Sequence, residues 1–387
     1  MNMKKITLLL LGIINVIGIG LVSPVMNQFA ADFPQVSSMA VAMVVTMPAI
    51  TLLVGLAICA AITNKVQRKL ILLSGIGCTV LGGIAPAFLH DFNLILVSRG
   101  LLGLGMGLGM PLQTTFFAEY PEEERAVLFG LNTGIGSIAS AGLLFVIALA
   151  ELPWRSAFLL YGFFAVVFVF CFLFIPFDPK RTDAGAVKTE VAETTQKLPL
   201  VQILFYYIAI FFMYVQYFIV PTTISFYLEQ NSMATAQAAG LISGFGTLAM
   251  AAGSIAFPWL RSLFGKWFMP LLFAVGSVWF ILCAFPVNIV FLTVVYCVLA
   301  MFSALLPIGI TMKLTEVLPF RFVAIGSALF TAAIYLGQFS SPYYQAMAVQ
   351  LLTHSIEKAY ILFGVVVFVL GYIDVVLVLR ERNEEFV

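Results

Sequence analysis

Phe177–Pro199 reads FDPKRTDAGAVKTEVAETTQKLP, the only long polar run in an otherwise apolar chain. It sets Lys180, Arg181, Lys188 and Lys197 against Asp178, Asp183, Glu190 and Glu193, and adds Gly185 and a closing Pro199. A segment of this make-up has too little apolar surface to bury a core, so it reads as a solvated linker. A surface helix over 184–196 is the alternative. Either way the segment divides the chain into residues 1–176, a linker at 177–199, and residues 200–387.

Composition agrees. Apolar residues make up 62% and charged residues 10%, and the mean hydropathy is +1.08. A soluble domain carries about 25% charged residues, so this is a membrane chain whose surroundings are the lipid bilayer. The net charge of +1 supplies no basic patch for nucleic acid. Cys59, Cys78, Cys171, Cys283 and Cys297 all lie in apolar runs, without the spacing of a metal site or a disulfide framework. No metal or other cofactor is expected.

Runs of about 20 apolar residues can cross the hydrocarbon core as helices. Before the linker they fall at Ile6–Met26, Met39–Ile62, Leu70–Leu89, Phe92–Phe117, Ala126–Leu149 and Trp154–Ile175. After it they fall at Leu200–Tyr227, Ala236–Leu260, Trp267–Phe285, Val290–Met312, Phe322–Val349 and Ala359–Leu379. With the N-terminus in the cytoplasm, 16 of the 19 lysines and arginines fall on that side. Arg155 and Lys358 fall on the other, and Arg99 lies inside a span. This is the positive-inside bias, and it puts both termini in the cytoplasm.

The two halves echo each other. Span 4 ends in Pro111…Glu119-Tyr-Pro121-Glu-Glu-Glu-Arg125…Gly130, and span 10 in Pro307…Glu316-Val-Leu-Pro319-Phe-Arg321…Gly326. Pro24 in span 1 corresponds to Pro221 in span 7. The expectation is an all-α polytopic protein of two six-helix bundles, related by a pseudo-twofold axis along the membrane normal.

On these residues the chain resembles the major facilitator superfamily. Arg99-Gly-Leu-Leu-Gly103-Leu-Gly105-Met-Gly107 is similar to the family's arginine-and-glycine signature in span 4. Pro153-Trp154-Arg155-Ser-Ala-Phe158 matches its usual start of span 6. The loop after span 2, with Asn64, Lys65, Arg68 and Lys69, resembles a worn gate motif. Asn64 stands where the family has its gating Asp, and Ala60 and Gln67 stand where it has glycines. Span 5 has no proline, unlike the drug antiporters of the family.

Within the spans, polar residues are costly on lipid and turn inward. Arg99 is the sharpest of them, since an arginine in a span costs at least about 2.5–3.5 kcal/mol. It is read as a substrate ligand, as a structural arginine bonded to span 1, or as one that snorkels to the outer interface. Gln113 lies on the same helix face, with Met106 between them, and the resemblance implies that this face looks into a central cavity. Asn15, Asn132, Tyr214, Tyr217, Tyr335 and Gln338 complete a candidate substrate site of amides, phenols and aromatic faces. Asp374 is the candidate coupling residue, or else pairs with Arg380. No nucleophile or acid–base constellation is visible, so no enzyme is expected.

The resemblance implies a secondary transporter that moves a small organic solute by alternating access, an organic anion being the first choice. Efflux of hydrophobic compounds is one alternative. A non-transporting receptor or lipid-handling protein on the same fold is another. The setting expected is a bacterial inner membrane, and the chain is expected to be a monomer.

Overall fold

The computed structural model describes residues 3–63, 65–117, 119–177, 200–230, 236–285, 287–317, 320–353 and 355–384. Almost all of them are helical, and no strand occurs among them. Residues 178–199, where the linker is expected, lie outside the described residues, as does Asn64.

The chain divides into two compact units, Met1–Thr194 and Thr195–Val387. In the first, span 1 is made of α1 (Met3–Ile17) and α2 (Met26–Asp32), joined by turns and a 3-10 segment at Ser23–Val25. Then come α3 (Ser38–Ile62), α4 (Arg68–Ile84), α5 (Phe92–Phe117) and α6 (Glu122–Leu149). Span 6 consists of α7 (Trp154–Leu159), a 3-10 turn and α8 (Phe163–Phe174). The second unit holds α9 (Leu200–Gln230), α10 (Ala236–Phe264), α11 (Phe268–Leu282), α12 (Ile289–Val317), α13 (Phe320–Met347) and α14 (Ile356–Glu384).

Nine helical stretches among the described residues are long and apolar enough to cross a membrane. One of them, Gln237–Leu282, runs for 46 residues, about 70 Å at 1.5 Å per residue. That is too long for one crossing, and it contains α10 and α11. They part at Gly265, whose φ of +52° is open to glycine at little cost.

Each unit packs in the same order. In the first, α3 lies on α5 and α1 on α6; in the second, α10 lies on α12 and α9 on α13. The repeat in the sequence is therefore a repeat in packing. Glycines let α5 meet its neighbours backbone to backbone. A Cβ on Gly103 would lie 2.0 Å from the Pro48 carbonyl oxygen, one on Gly107 2.1 Å from that of Leu52, and one on Gly105 2.3 Å from that of Gly75. Small residues at such crossings are how membrane helices gain close contact without a hydrophobic drive.

The second unit's core draws on all of α9 to α14, with Phe273, Phe280, Leu299, Ile310 and Phe363 wholly buried. Large apolar side chains such as Leu81, Ile138, Ile255 and Val290 face outward, as lipid contact requires.

Candidate functional site

The break in span 1 organises the first unit. After Ile17 the chain leaves the α-helix, and the Ser23 N–H turns back to the Gly20 carbonyl at 3.1 Å. Ile19 thereby loses its i+4 donor. A second carbonyl is freed on α3, because Pro48 has no N–H to return to Val44. Both are met by Arg99. Its Nη2 donates to the Ile19 oxygen at 3.0 Å, and its Nε to the Val44 oxygen at 2.7 Å. Nη1 donates to the Tyr161 hydroxyl at 3.0 Å, and that hydroxyl donates to the Gly18 carbonyl at 2.9 Å. The guanidinium also lies over the Phe158 and Tyr161 rings. Arg99 is wholly buried.

Gln113 and Asn132 use their amides on the same helix. Gln113 Nε2 donates to the Leu8 carbonyl at 3.2 Å, and Asn132 Nδ2 to the carbonyls of Leu8 and Leu9 at 3.1 and 3.0 Å. Asn15 donates to Gln113 Oε1. These three residues are thus brought together where α1, α5 and α6 meet. Arg99 is not with them, because fourteen residues of α5 separate it from Gln113 by about 21 Å. The shared face expected from spacing exists, but span 1 covers it. Met106, between the two, packs on Gly18, where a Cβ would lie 2.7 Å from its sulfur.

In the second unit the predicted tyrosines gather. Tyr214 and Tyr217 stand with ring centroids 6.3 Å apart, and Phe218 stacks on Tyr214 at 6.1 Å. Tyr335 lies on α13, which meets Tyr214 at Gly337, where a Cβ would lie 3.2 Å from that of Tyr214. The Tyr214 hydroxyl points at the Ser303 carbonyl at 3.5 Å, the group that Pro307 leaves without a donor. Tyr217 donates to the Met250 sulfur at 3.7 Å. Gln338 lies on α13, nearly buried, with its Nε2 unbonded. The Ser341 hydroxyl meets its carbonyl at 2.9 Å, replacing the N–H that Pro342 lacks. The cluster is aromatic and amide in character, drawn from α9, α10, α12 and α13.

The basic loop closes within the first unit. Arg68 pairs with Glu119 at 3.0 Å, and Lys4 pairs with the same carboxylate at 2.7 Å. Lys5 pairs with Glu124. Lys65 is exposed. Lys69 is buried and donates to the Phe172 carbonyl at 2.7 Å, with the Phe177 ring 4.2 Å from its nitrogen. It thereby caps the C-terminal end of α8 with a cation, where the helix dipole favours one. Asp374 is wholly buried on α14, and the Tyr206 hydroxyl of α9 donates to it at 3.4 Å. The Arg380 side chain, its expected partner, is outside the described residues.

Sequence reasoning did not foresee Tyr161 or the clasp at the far end of span 1. There the Trp154 indole donates to Asp32 Oδ2 at 2.8 Å and its backbone N–H to Gln28 Oε1 at 3.1 Å. Arg155 donates to the carbonyls of Ala87 and Leu89 that end span 3. The run Pro153-Trp154-Arg155 carried a signal for this, since one aromatic donor and one cation stand together at a helix start.

Comparison with known proteins places these features. The family model described as Major Facilitator Superfamily matches residues 8–342. The 4-hydroxybenzoate transporter PcaK of Pseudomonas aeruginosa is 31% identical over 121 residues, 29% of this chain and 26% of that protein. The synaptic vesicle 2-related protein of Rattus norvegicus is 33% identical over 140 residues, 35% of this chain and 25% of that protein. The matches thus span only about a quarter of these relatives. Among solved structures, the nucleoside transporter NupG superposes with a TM-score of 0.72 at 14% identity, over 97% of this chain and 99% of that one. The inward-open xylose transporter XylE from E. coli gives 0.72 at 15%, over 96% of this chain and 94% of that one. At such identities these two speak for the fold.

Proposed function

Because the chain belongs to the major facilitator superfamily, we propose that it moves a small organic solute carrying an aromatic ring, by alternating access between its two units. One observation carries this reading: Tyr214, Tyr217 and Phe218 stand ring to ring in the second unit, and α13, which carries Tyr335 and Gln338, packs on them through Gly337, where a Cβ would lie 3.2 Å from that of Tyr214. Aromatic faces with a few polar groups suit a flat amphipathic molecule. A relative that carries 4-hydroxybenzoate supports a solute of that shape. Recognition then rests on ring contact and hydrogen bonds. In this reading Arg99 is the brace of the first unit, since all three of its donor nitrogens already meet protein oxygens.

The protein is proposed to act as a monomer in a bacterial inner membrane with both termini cytoplasmic, as the distribution of basic residues supports. Efflux of hydrophobic compounds is the second reading, favoured by the uncharged character of the same cluster. The deciding experiment is a thermal-shift screen of the purified protein against small aromatic acids, amides and lipophilic cations, since a ligand that binds the folded state raises its stability with the logarithm of its concentration over Kd. Flux into proteoliposomes then follows for each hit. Stabilisation by aromatic acids or amides with flux supports the proposal, and stabilisation by lipophilic cations alone transfers it to efflux.

A further inference from the structure

α10 is longer than a hydrocarbon crossing needs. Its 29 residues measure about 44 Å at 1.5 Å per residue, against a hydrocarbon core of about 30 Å. Ile255, Trp259 and Leu263 follow one another at helical spacing and line one side of it. All three are exposed, Trp259 by 65%. The turn into α11 continues the run, since every residue from Ser262 to Trp267 is exposed, Phe264 and Trp267 among them. Trp259, Leu263, Phe264 and Trp267 thus crowd the tip of a helix hairpin. An exposed apolar patch rimmed by polar groups marks a surface that meets a partner or a membrane.

The rim here is basic. Arg261 reaches the Met312 sulfur of α12 with Nη1 at 2.7 Å. Lys266 is exposed, and no ion pair among the described residues involves it. The turn between α3 and α4 in the first unit is built the other way. There Arg68 pairs with Glu119, and Lys69 turns inward to the Phe172 carbonyl. Residues 60–70 hold no aromatic side chain. The repeat therefore keeps the hairpin and changes its chemistry.

We propose that residues 255–267 form a docking surface for an anionic phospholipid. Trp259, Leu263 and Trp267 lie along its upper acyl chains, and Lys266, with Arg261, meets its headgroup. Indoles settle at headgroup level, and a cation held there attracts anionic lipid over zwitterionic lipid. Immersion in lipid, which every outward face of the protein shares, brings no such choice of headgroup. The reading depends neither on the solute carried nor on which leaflet is cytoplasmic.

The test uses the full chain reconstituted into phosphatidylcholine bilayers. Of the four tryptophans, Trp154 is buried and Trp279 is partly buried on α11. Subtracting the emission of a Trp259→Phe/Trp267→Phe variant isolates the pair at the hairpin. Part of the host lipid is then replaced, at equal mole fraction, by brominated-chain phosphatidylglycerol or brominated-chain phosphatidylcholine, because bromine quenches an indole only at close range. Quenching of the pair should report about fivefold preferred binding of the anionic lipid, the factor that about one cation supplies. The preference should fall in Lys266→Gln and vanish in Arg261→Gln/Lys266→Gln. Equal quenching by the two lipids means immersion without recognition and overturns the proposal. Quenching by neither overturns it too, since the hairpin would then stand in water or against a second copy. So does a preference that Lys266→Gln retains in full; its side chain is exposed, so this variant decides the matter even where the double variant fails to fold.

Discussion

The Arg99 guanidinium donates to the Tyr161 hydroxyl, and that hydroxyl in turn donates a hydrogen bond to the Gly18 carbonyl. Two side chains on separate spans thus close the gap that span 1 opens in its own backbone. Removing the hydroxyl in Tyr161→Phe leaves a buried carbonyl and a buried N–H unpaired, at about 1–3 kcal/mol. Arg99→Met should cost more, with Arg99→Lys between them, because an ammonium cannot reproduce the fork of the guanidinium. Thermal unfolding of the purified variants checks the order. An Arg99→Lys or Arg99→Met protein that melts like wild type but loses ligand affinity would return Arg99 to the binding site.

Gly103→Ala places a methyl 2.0 Å from the Pro48 oxygen, so α3 and α5 must separate. Overpacking of this kind costs about 1–3 kcal/mol. Gly134→Ala is the control. Nothing lies within 4 Å of a Cβ there, and alanine in a helix interior should gain about 0.5–1 kcal/mol. Melting temperatures that move in opposite directions bear this out, and a shared direction contradicts it.

Glu119 holds Lys4 and Arg68, yet 35% of its side chain is exposed. Screening by solvent limits such pairs, so Glu119→Gln should destabilise by no more than about 1 kcal/mol, and by less in high salt. A loss of several-fold that size, insensitive to salt, would mean that the network is far drier than its exposure indicates.

Lys65 and His90 are both exposed, at opposite ends of the helices of the first unit. Cysteines placed there should be alkylated from opposite sides by an impermeant reagent: Lys65→Cys from the cytoplasm and His90→Cys from outside. Labelling from reversed sides would invert the topology read from the basic residues.

Asp374 is bonded by Tyr206 inside the second unit. Asp374→Asn keeps the shape and an acceptor oxygen. Exchange of the carried solute should persist in this variant, with weak dependence on an imposed proton gradient in both proteins. Gradient-driven accumulation that vanishes in Asp374→Asn would make this acid the coupling group.

The spans were legible because a run of apolar residues has few alternatives to a crossing helix. Span 4, read at Phe92–Phe117, coincides with α5. Span 5 was read from Ala126, whereas α6 starts at Glu122, because a charged first turn is helical without being apolar. The break in span 1 was hidden, since hydropathy counts side chains and the break is a matter of backbone. Gly18, Gly20 and Ser23-Pro24 were its only marks. A bond from Arg99 to span 1 was one of the readings, but the atoms it meets were hidden for the same reason, as Ile19 and Val44 offer main-chain oxygens on other spans. Pro48 did announce one of them, for a proline in a helix always leaves a carbonyl four residues back. Asn15, Gln113 and Asn132 were recognised as inward polar residues, but their shared target on α1 depends on which helices pack together. Spacing along one helix does not carry that information.

The glycine contacts that join α3, α4 and α5 have a practical consequence. Where backbones touch with no side chain between them, there is nothing to slide on and no rotamer to change. These three helices can travel only as a block. Spin labels at the exposed positions Val54 on α3 and Val97 on α5 should therefore keep one separation in every conformer the protein visits. Such a pair is an internal ruler, against which displacements measured anywhere else in the molecule can be calibrated.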